Sequence, residues 1–213
     1  MHGRYVVEGP EGAFEPGSRG RVLANLRRIV RVRDMQRAES DALLALMDAL
    51  IEEVSEAQRF TTPDLCRWHR QWLAPIYGWA GAYREVNMAK AGFPFAAANR
   101  ISDLMAGFEW DVLRVHTPCR DMDTDRLVTA LAMTHAEFIL IHPFREGNGR
   151  LARVMNTLMG LQAGLPALDY GGIRGVAKRR YIAAIHAAMD RDYEPLEAVF
   201  RSVIKRTLKG VSA

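Results

Sequence analysis

The sequence predicts an all-α protein: a bundle of about eight helices with one β-hairpin as its only sheet. Three observations lead there. Apolar residues recur at three- and four-residue steps along most of the 213 positions. Helix start and stop signals punctuate those runs, and a single stretch, residues 83–96, breaks the habit. No internal repeat, low-complexity tract or long linker divides the chain, so residues 1–213 read as one domain.

Each element has its own justification. Residues 1–17 are rich in Gly and Pro and read as an extended arm. Leu43, Leu44, Met47, Leu50 and Ile51 fall on one stripe, giving an amphipathic helix over roughly 37–57. Thr62-Pro63-Asp64 is a start signal, with a hydroxyl cap, proline at the first helical position and an acid in the first turn. Leu65, Trp68, Trp72 and Leu73 follow on that helix. Within 83–96, Tyr83 to Met88 alternates in character, Lys90-Ala91-Gly92 reads as a turn and Phe93-Pro94-Phe95 as the returning strand. The proline puts one strand at an edge; the alternative is an irregular loop packed by the two phenylalanines. Helical signals resume over 100–115. Asp123 or Thr124 caps the next helix, which carries Leu127, Leu131, Thr134 and Phe138. Another begins near Asn148 and stops at Gly164 and Pro166. Two more are expected at roughly 174–189 and 193–207.

Composition limits what this bundle can be. Apolar residues make up 49% and charged residues 25%, the balance of a soluble globular protein. Two cysteines make no disulfide framework, and no apolar run approaches the roughly 20 residues that cross a bilayer. A cytoplasmic protein without a membrane partner is the expectation. The net charge of +4 is small and its basic residues are scattered, so clusters such as Lys178-Arg179-Arg180 read as solvated helix faces. Nucleic acid is therefore not an expected partner.

The chemistry concentrates in His142-Pro143-Phe144-Arg145-Glu146-Gly147-Asn148-Gly149-Arg150, with Arg153 one turn later. Gly147 and Gly149 permit φ > 0 and close approach of their N–H groups to a ligand. A helix starting near Asn148 directs its unsatisfied N–H groups and positive dipole end to the same point, an anion cradle suited to phosphate. Arg150 and Arg153 leave one side of the first turns, where two guanidinium forks can grip terminal phosphates. Glu146 at the rim suits a Mg2+ ion bridging phosphate oxygens. The unperturbed pKa of an imidazole is about 6.5, so a histidine at 142 can take a proton from a hydroxyl near neutral pH. Each piece alone has a structural explanation; their ordered co-occurrence points to a polyphosphate held beside a nucleophile.

His142 through Arg150, with Arg153, resembles the signature H-P-F-x-[D/E]-G-N-G-R-x-x-R of the Fic (Fic/Doc) family at every constrained position. Gly81-Ala82-Tyr83-Arg84, His135, Tyr181-Ile182-Ala183-Ala184 and Glu194-Pro195-Leu196 are similar as well, so the likeness spans roughly residues 60–205. The resemblance implies a helical Fic fold and transfer of AMP from ATP onto a Tyr, Ser or Thr hydroxyl of another protein, with release of pyrophosphate. His142 would be the base and Glu146 the Mg2+ ligand. Gly147, Asn148 and Gly149 would form the anion hole, and Arg150 and Arg153 would hold the β- and γ-phosphates. The 83–96 hairpin is similar to the family's target flap, which takes a target segment as an added strand through Asn87, Met88, Lys90 and Phe93. By position, Tyr181 would line the adenine pocket. Met189 stands where some relatives present an asparagine to the nucleotide.

The family's inhibitory pattern [S/T]-x-x-x-E-[G/N] is not found. Glu8-Gly9 and Glu11-Gly12 have its ending, but Arg4 and Val7 stand where Ser or Thr is needed. A separate small antitoxin that donates the glutamate in trans is the expectation. Gly20 to Leu26 is similar to the entry helix of the stand-alone toxin-type class. Transfer of phosphate, UMP or phosphocholine is a rival reading, weakened by the intact Gly147-Asn148-Gly149, since phosphate-transferring relatives carry lysine at the second glycine. A non-catalytic binding protein that has kept the fold is the other rival.

Overall fold

The structure is a computed structural model that describes residues 6–7 and 12–211. Its helices are α1 (Val32–Glu53), α2 (Thr62–Leu73), α3 (Ile101–Phe108), α4 (Arg114–His116), α5 (Thr124–Ile141), α6 (Asn148–Gln162), α7 (Val176–Ala187) and α8 (Glu194–Val211). A π-helical segment, Glu109–Leu113, joins α3 to α4 without a break, so the helix expected over 100–115 is one rod with a wider turn. The expected all-α architecture holds. No described helix is long and apolar enough to cross a membrane.

Local signals explain the helix ends. Asp123 caps α5 through its carboxylate, which accepts the Arg126 N–H at 2.8 Å. At the end of α6 the Gly164 N–H reaches the Leu161 carbonyl and the Leu165 N–H the Gly160 carbonyl. With Gly164 at φ +79°, this is the paired closure that a left-handed residue permits.

The sheet is larger than expected. Strands β2 (Met88–Lys90) and β3 (Phe93–Pro94) form the hairpin, and β1 (Val6–Val7) adds to the far side of β2, giving the order β1-β2-β3. Ala91 and Gly92 both take positive φ, +50° and +83°, the two-residue turn whose twist matches antiparallel strands. Pro94 lies in an edge strand, as its missing N–H requires. The arm is thus partly strand, and its residues 1–5 and 8–11, including Glu8-Gly9 and Glu11, lie outside the described residues.

Two further expectations need correction. Gly20 to Leu26 is not helical: Leu23 pairs with Phe14 in an isolated antiparallel bridge, and the Asn25 side chain accepts the Arg27 and Ile29 N–H groups. Side-chain capture of these backbone donors fixes a turn in place of a helix. The buried face of α1 is Met35, Glu39, Leu46 and Leu50, whereas Leu44 and Ile51 are exposed. The helix is rotated from its expected stripe because it carries a buried carboxylate.

The chain divides into two compact units. One comprises 1–53, 62–106 and 141–151; the other comprises 54–61, 107–140 and 152–213. In the first, α1 packs on α2, and Trp68, Trp72, Leu73 and Phe144 are fully buried. In the second, α7 packs on α8, whose Leu196, Phe200, Val203 and Ile204 are buried at helical spacing.

Candidate active site

The loop from Ile141 to Asn148 is held from several directions within the first unit. His142 takes φ +54°, rare for a residue with a Cβ, and its side chain is buried. Its ring stacks on Phe95 at 3.7 Å between centroids, and Phe95 meets Phe93 of β3 edge-on at 5.6 Å. The hairpin therefore reaches the expected base through two aromatic rings.

Arg84 fixes the backbone around that histidine. It is buried, and its guanidinium donates to the carbonyls of His142 at 2.8 Å, Ala96 at 2.6 Å and Ile141 at 3.3 Å, as well as to Val86. Its own N–H donates to the Pro143 carbonyl at 2.8 Å. One buried cation thus ties the base of the hairpin to the residues on both sides of His142 through main-chain oxygens.

His69 of α2 fixes the next stretch. The Gly81 N–H donates to its Nδ1 at 2.8 Å, so the proton sits on Nε2, which donates to the Glu146 carbonyl at 3.0 Å. The ring stacks on Phe144 at 4.0 Å. Burial holds its pKa down to about 4, keeping it neutral. Gly81 at φ +83° lies so close to Arg70 that a Cβ would fall 2.7 Å from the arginine Cβ.

Glycine is required at only one of the two motif positions. Gly147 has φ +87°, and a Cβ there would meet Trp72 at 2.7 Å. Gly149 is helical, not left-handed as the sequence allowed, and a Cβ there meets nothing within 4 Å. Asn148 braces the bend: its Oδ1 accepts the Phe144 N–H at 2.9 Å and its Nδ2 donates to the Phe144 carbonyl at 2.7 Å. Its side chain is thereby committed to the loop, and what the start of α6 offers an anion is main-chain N–H groups without intrahelical acceptors. The Gly147 N–H already meets one, the Glu146 carboxylate at 3.0 Å.

The two arginines have different surroundings. Arg150 donates to Glu39 at 2.7 Å, approaches Glu146 at 3.4 Å and lies over the Trp72 ring at 4.6 Å. Arg153 belongs to the second unit, with its guanidinium 5.2 Å from the Tyr170 ring centroid. In that unit the Asn156 carboxamide oxygen accepts from His135 Nδ1 at 2.7 Å, and Tyr181 donates its hydroxyl to Nε2 at 2.9 Å. The Tyr181 hydroxyl is thus engaged with protein, and burial pushes its pKa up to about 12. Met189 is exposed.

Of the flap residues, Met88 is buried, Lys90 is exposed, and the Asn87 side chain accepts the Ala98 N–H at 3.0 Å. Sequence reasoning missed Glu39, His69, Arg84 and Phe95 as parts of this site. For Glu39 a signal existed: it falls on the helical repeat of Met35, Leu46 and Leu50, where an acid needs a partner. For Arg84 the only signal was the family likeness of Gly81 to Arg84, which says nothing of its bonds, and for His69 there was none, because its partners are main-chain atoms of other segments.

Comparison with known proteins identifies the family. Residues 59–159 match the family model described as Fic/DOC family. The probable protein adenylyltransferase Fic of Salmonella typhimurium is 30% identical over 67% of this chain and 68% of its own length. The probable protein adenylyltransferase Fic of Escherichia coli is 28% identical over 92% of this chain and 94% of its own length. Among solved structures, the BepC protein of Bartonella tribocorum with bound AMPPNP superposes with a TM-score of 0.68 at 21% identity, covering 85% of this chain and 91% of that one. The N-terminal FIC domain of Bep8 from Bartonella sp. 1-1C gives 0.71 at 18% identity, with 86% and 91% covered. The chain therefore belongs to the Fic/DOC family.

Proposed function

We propose that the chain is a protein adenylyltransferase that moves AMP from ATP to a Tyr, Ser or Thr hydroxyl of a target protein. The target oxygen attacks the α-phosphorus while His142 takes its proton; the bond to the α–β bridging oxygen breaks and pyrophosphate leaves. The observation that carries this reading is the position of His142. It is turned out of helical geometry and stacked on Phe95 of the hairpin segment, four residues before a carboxylate and six before the start of α6. A base and an anion-binding helix start on one braced loop are what phosphoryl-centred transfer needs.

Glu146 fits a Mg2+ ion in one manner. Among the described residues no cluster of three His, Cys, Asp or Glu side chains forms a self-contained metal centre. A single carboxylate suits an ion whose other ligands are phosphate oxygens and water. When bound, Mg2+ would offset charge on the α- and β-phosphates. Arg150 and Arg153 hold the β- and γ-phosphates, and Tyr181 flanks the nucleoside. The target segment pairs along the hairpin; since β1 already takes the far side of β2, the segment adds along β3 or in place of β1. Regulation falls to a small antitoxin that supplies a glutamate to Arg153, which among the described residues has an aromatic and not an acidic neighbour.

The test is incubation of the protein and of His142→Ala with a target-containing lysate, Mg2+ and ATP labelled at either the α- or the γ-phosphate. Label should enter protein from the α position and fall by roughly a thousandfold in the variant. Entry of γ-label would replace this reading with kinase chemistry. Co-purification of a small inhibitory protein checks the antitoxin; an isolated chain whose transfer is unaffected by any co-expressed small partner removes it.

A further inference from the structure

Glu39 sits on α1, more than a hundred residues from the motif, with its side chain 1% exposed. Its two carboxylate oxygens have separate partners: Tyr77 donates its hydroxyl at 2.7 Å and Arg150 donates Nη1 at 2.7 Å. Its main-chain carbonyl accepts the Trp72 indole N–H at 2.8 Å, and Trp72 is also the ring beneath the Arg150 guanidinium. On its other side the same guanidinium stands 3.4 Å from Glu146. Arg150 is therefore shared unequally between two buried carboxylates, Glu39 at 2.7 Å and Glu146 of the motif loop at 3.4 Å.

We propose that Glu39 is a positioning residue that draws Arg150 toward α1 and so weakens the hold of Arg150 on the Glu146 carboxylate, easing the approach of a divalent cation. The physical reason is competition. A guanidinium forms its strongest bonds with carboxylates at about 2.7–2.9 Å, and here, laid on Trp72, it meets Glu39 at that distance through Nη1 while Nη2 stays 3.4 Å from Glu146. With Glu39 neutral, Arg150 has one acid left within reach and closes on Glu146. The cation would then have to displace an arginine before it could bind. The metal arm of this inference rests on the adenylyltransferase reading; the arginine arm does not.

The experiment has two parts, both on the full chain. Without nucleotide, the coupling between Arg150 and Glu146 is measured by a double-mutant cycle of urea unfolding, using Arg150→Met and Glu146→Gln, in the parent and in Glu39→Gln. A larger coupling in Glu39→Gln is expected; an unchanged coupling overturns the proposal whatever the chain's activity. With nucleotide, calorimetry of AMPPNP binding is repeated at increasing Mg2+. The Mg2+ concentration for half-maximal tight binding should rise about tenfold in Glu39→Gln, with affinity recovered at saturating Mg2+, a scale set by one charge-assisted hydrogen bond. Tyr77→Phe should lower stability without moving that concentration. If Glu39→Gln does not fold, Glu39→Met with Tyr77→Phe removes both polar partners together, leaves no buried hydroxyl unmatched and is read in the same two ways. A gain of transfer activity in either variant would show Glu39 to be an inhibitor and overturn the positioning role. If the parent binds AMPPNP without regard to Mg2+, the proposed cofactor falls, while the unfolding cycle still decides on Glu39.

Discussion

His69 and His135 are both buried, both held neutral with a pKa of about 4, and each uses both ring nitrogens. They differ in what those nitrogens hold. His69 joins two main-chain groups, the Gly81 N–H and the Glu146 carbonyl, and so fixes the path of the motif loop. His135 joins two side chains, Asn156 and Tyr181, and so fixes rotamers on α6 and α7. The contrast separates two kinds of support, one in each unit. Main-chain ties decide where a loop runs and tolerate little change, whereas side-chain ties fix rotamers between helices that can repack.

The largest expected effect breaks the first tie. His69→Ala removes a stacked, fully buried ring and strands a donor and an acceptor, a loss of about 4 kcal/mol. AMP transfer should fall with it, because the Glu146 carbonyl loses its anchor; His135→Ala at similar cost should spare far more of the turnover number. Urea midpoints and initial rates on both variants check this, and equal loss of turnover would erase the distinction.

Acid should act on the two histidines alike. Each binds its proton near pH 6.5 when unfolded but only near pH 4 when folded. Between these values the unfolded chain holds more protons, so their contribution to stability is complete above about pH 6.5 and declines as pH falls toward 4. The decline is roughly 3 kcal/mol per histidine and flat below the lower value. Urea unfolding at intervals from pH 7 to 4 measures it, and His135→Phe should flatten about half of the slope.

Gly147→Ala comes next. A Cβ pressed on Trp72 at a positive φ should cost about 2 kcal/mol, while Gly149→Ala should leave stability nearly unchanged. If nucleotide affinity nonetheless drops in Gly149→Ala, close approach of a ligand is the reason for that glycine. The smallest change is Tyr181→Phe, which removes one hydrogen bond to His135 and should cost about 1 kcal/mol. A selective rise in KM for ATP, with thermal stability almost intact, would place Tyr181 beside the nucleoside.

Much of this molecule is legible in the sequence where the cause is local. The stripe of Leu127, Leu131, Thr134 and Phe138 is buried as its spacing requires, and Gly164 ends α6 as a left-handed residue should. The hairpin follows from Ala91-Gly92 and from the edge position of Pro94. Reading failed where a polar side chain's bonds overrode the apolar pattern. Asn25 captures its neighbours' N–H groups, and with the Phe14–Leu23 bridge this turns Gly20 to Leu26 away from helix. On α1, Glu39 turns an apolar-looking face outward, leaving Leu44 and Ile51 exposed.

By itself, the sequence determined the helical class, the loop bearing His142 and Glu146, and the helix start that follows. Periodicity, caps and backbone preferences act over a few residues, and a chain records them in order. Only the tertiary structure decided that Arg84 and His69 brace that loop through carbonyls and that Arg150 answers to Glu39. Main-chain acceptors are the same at every position, and a partner more than a hundred residues away leaves no mark in the local pattern, so these ties exist only once the fold has brought their ends together.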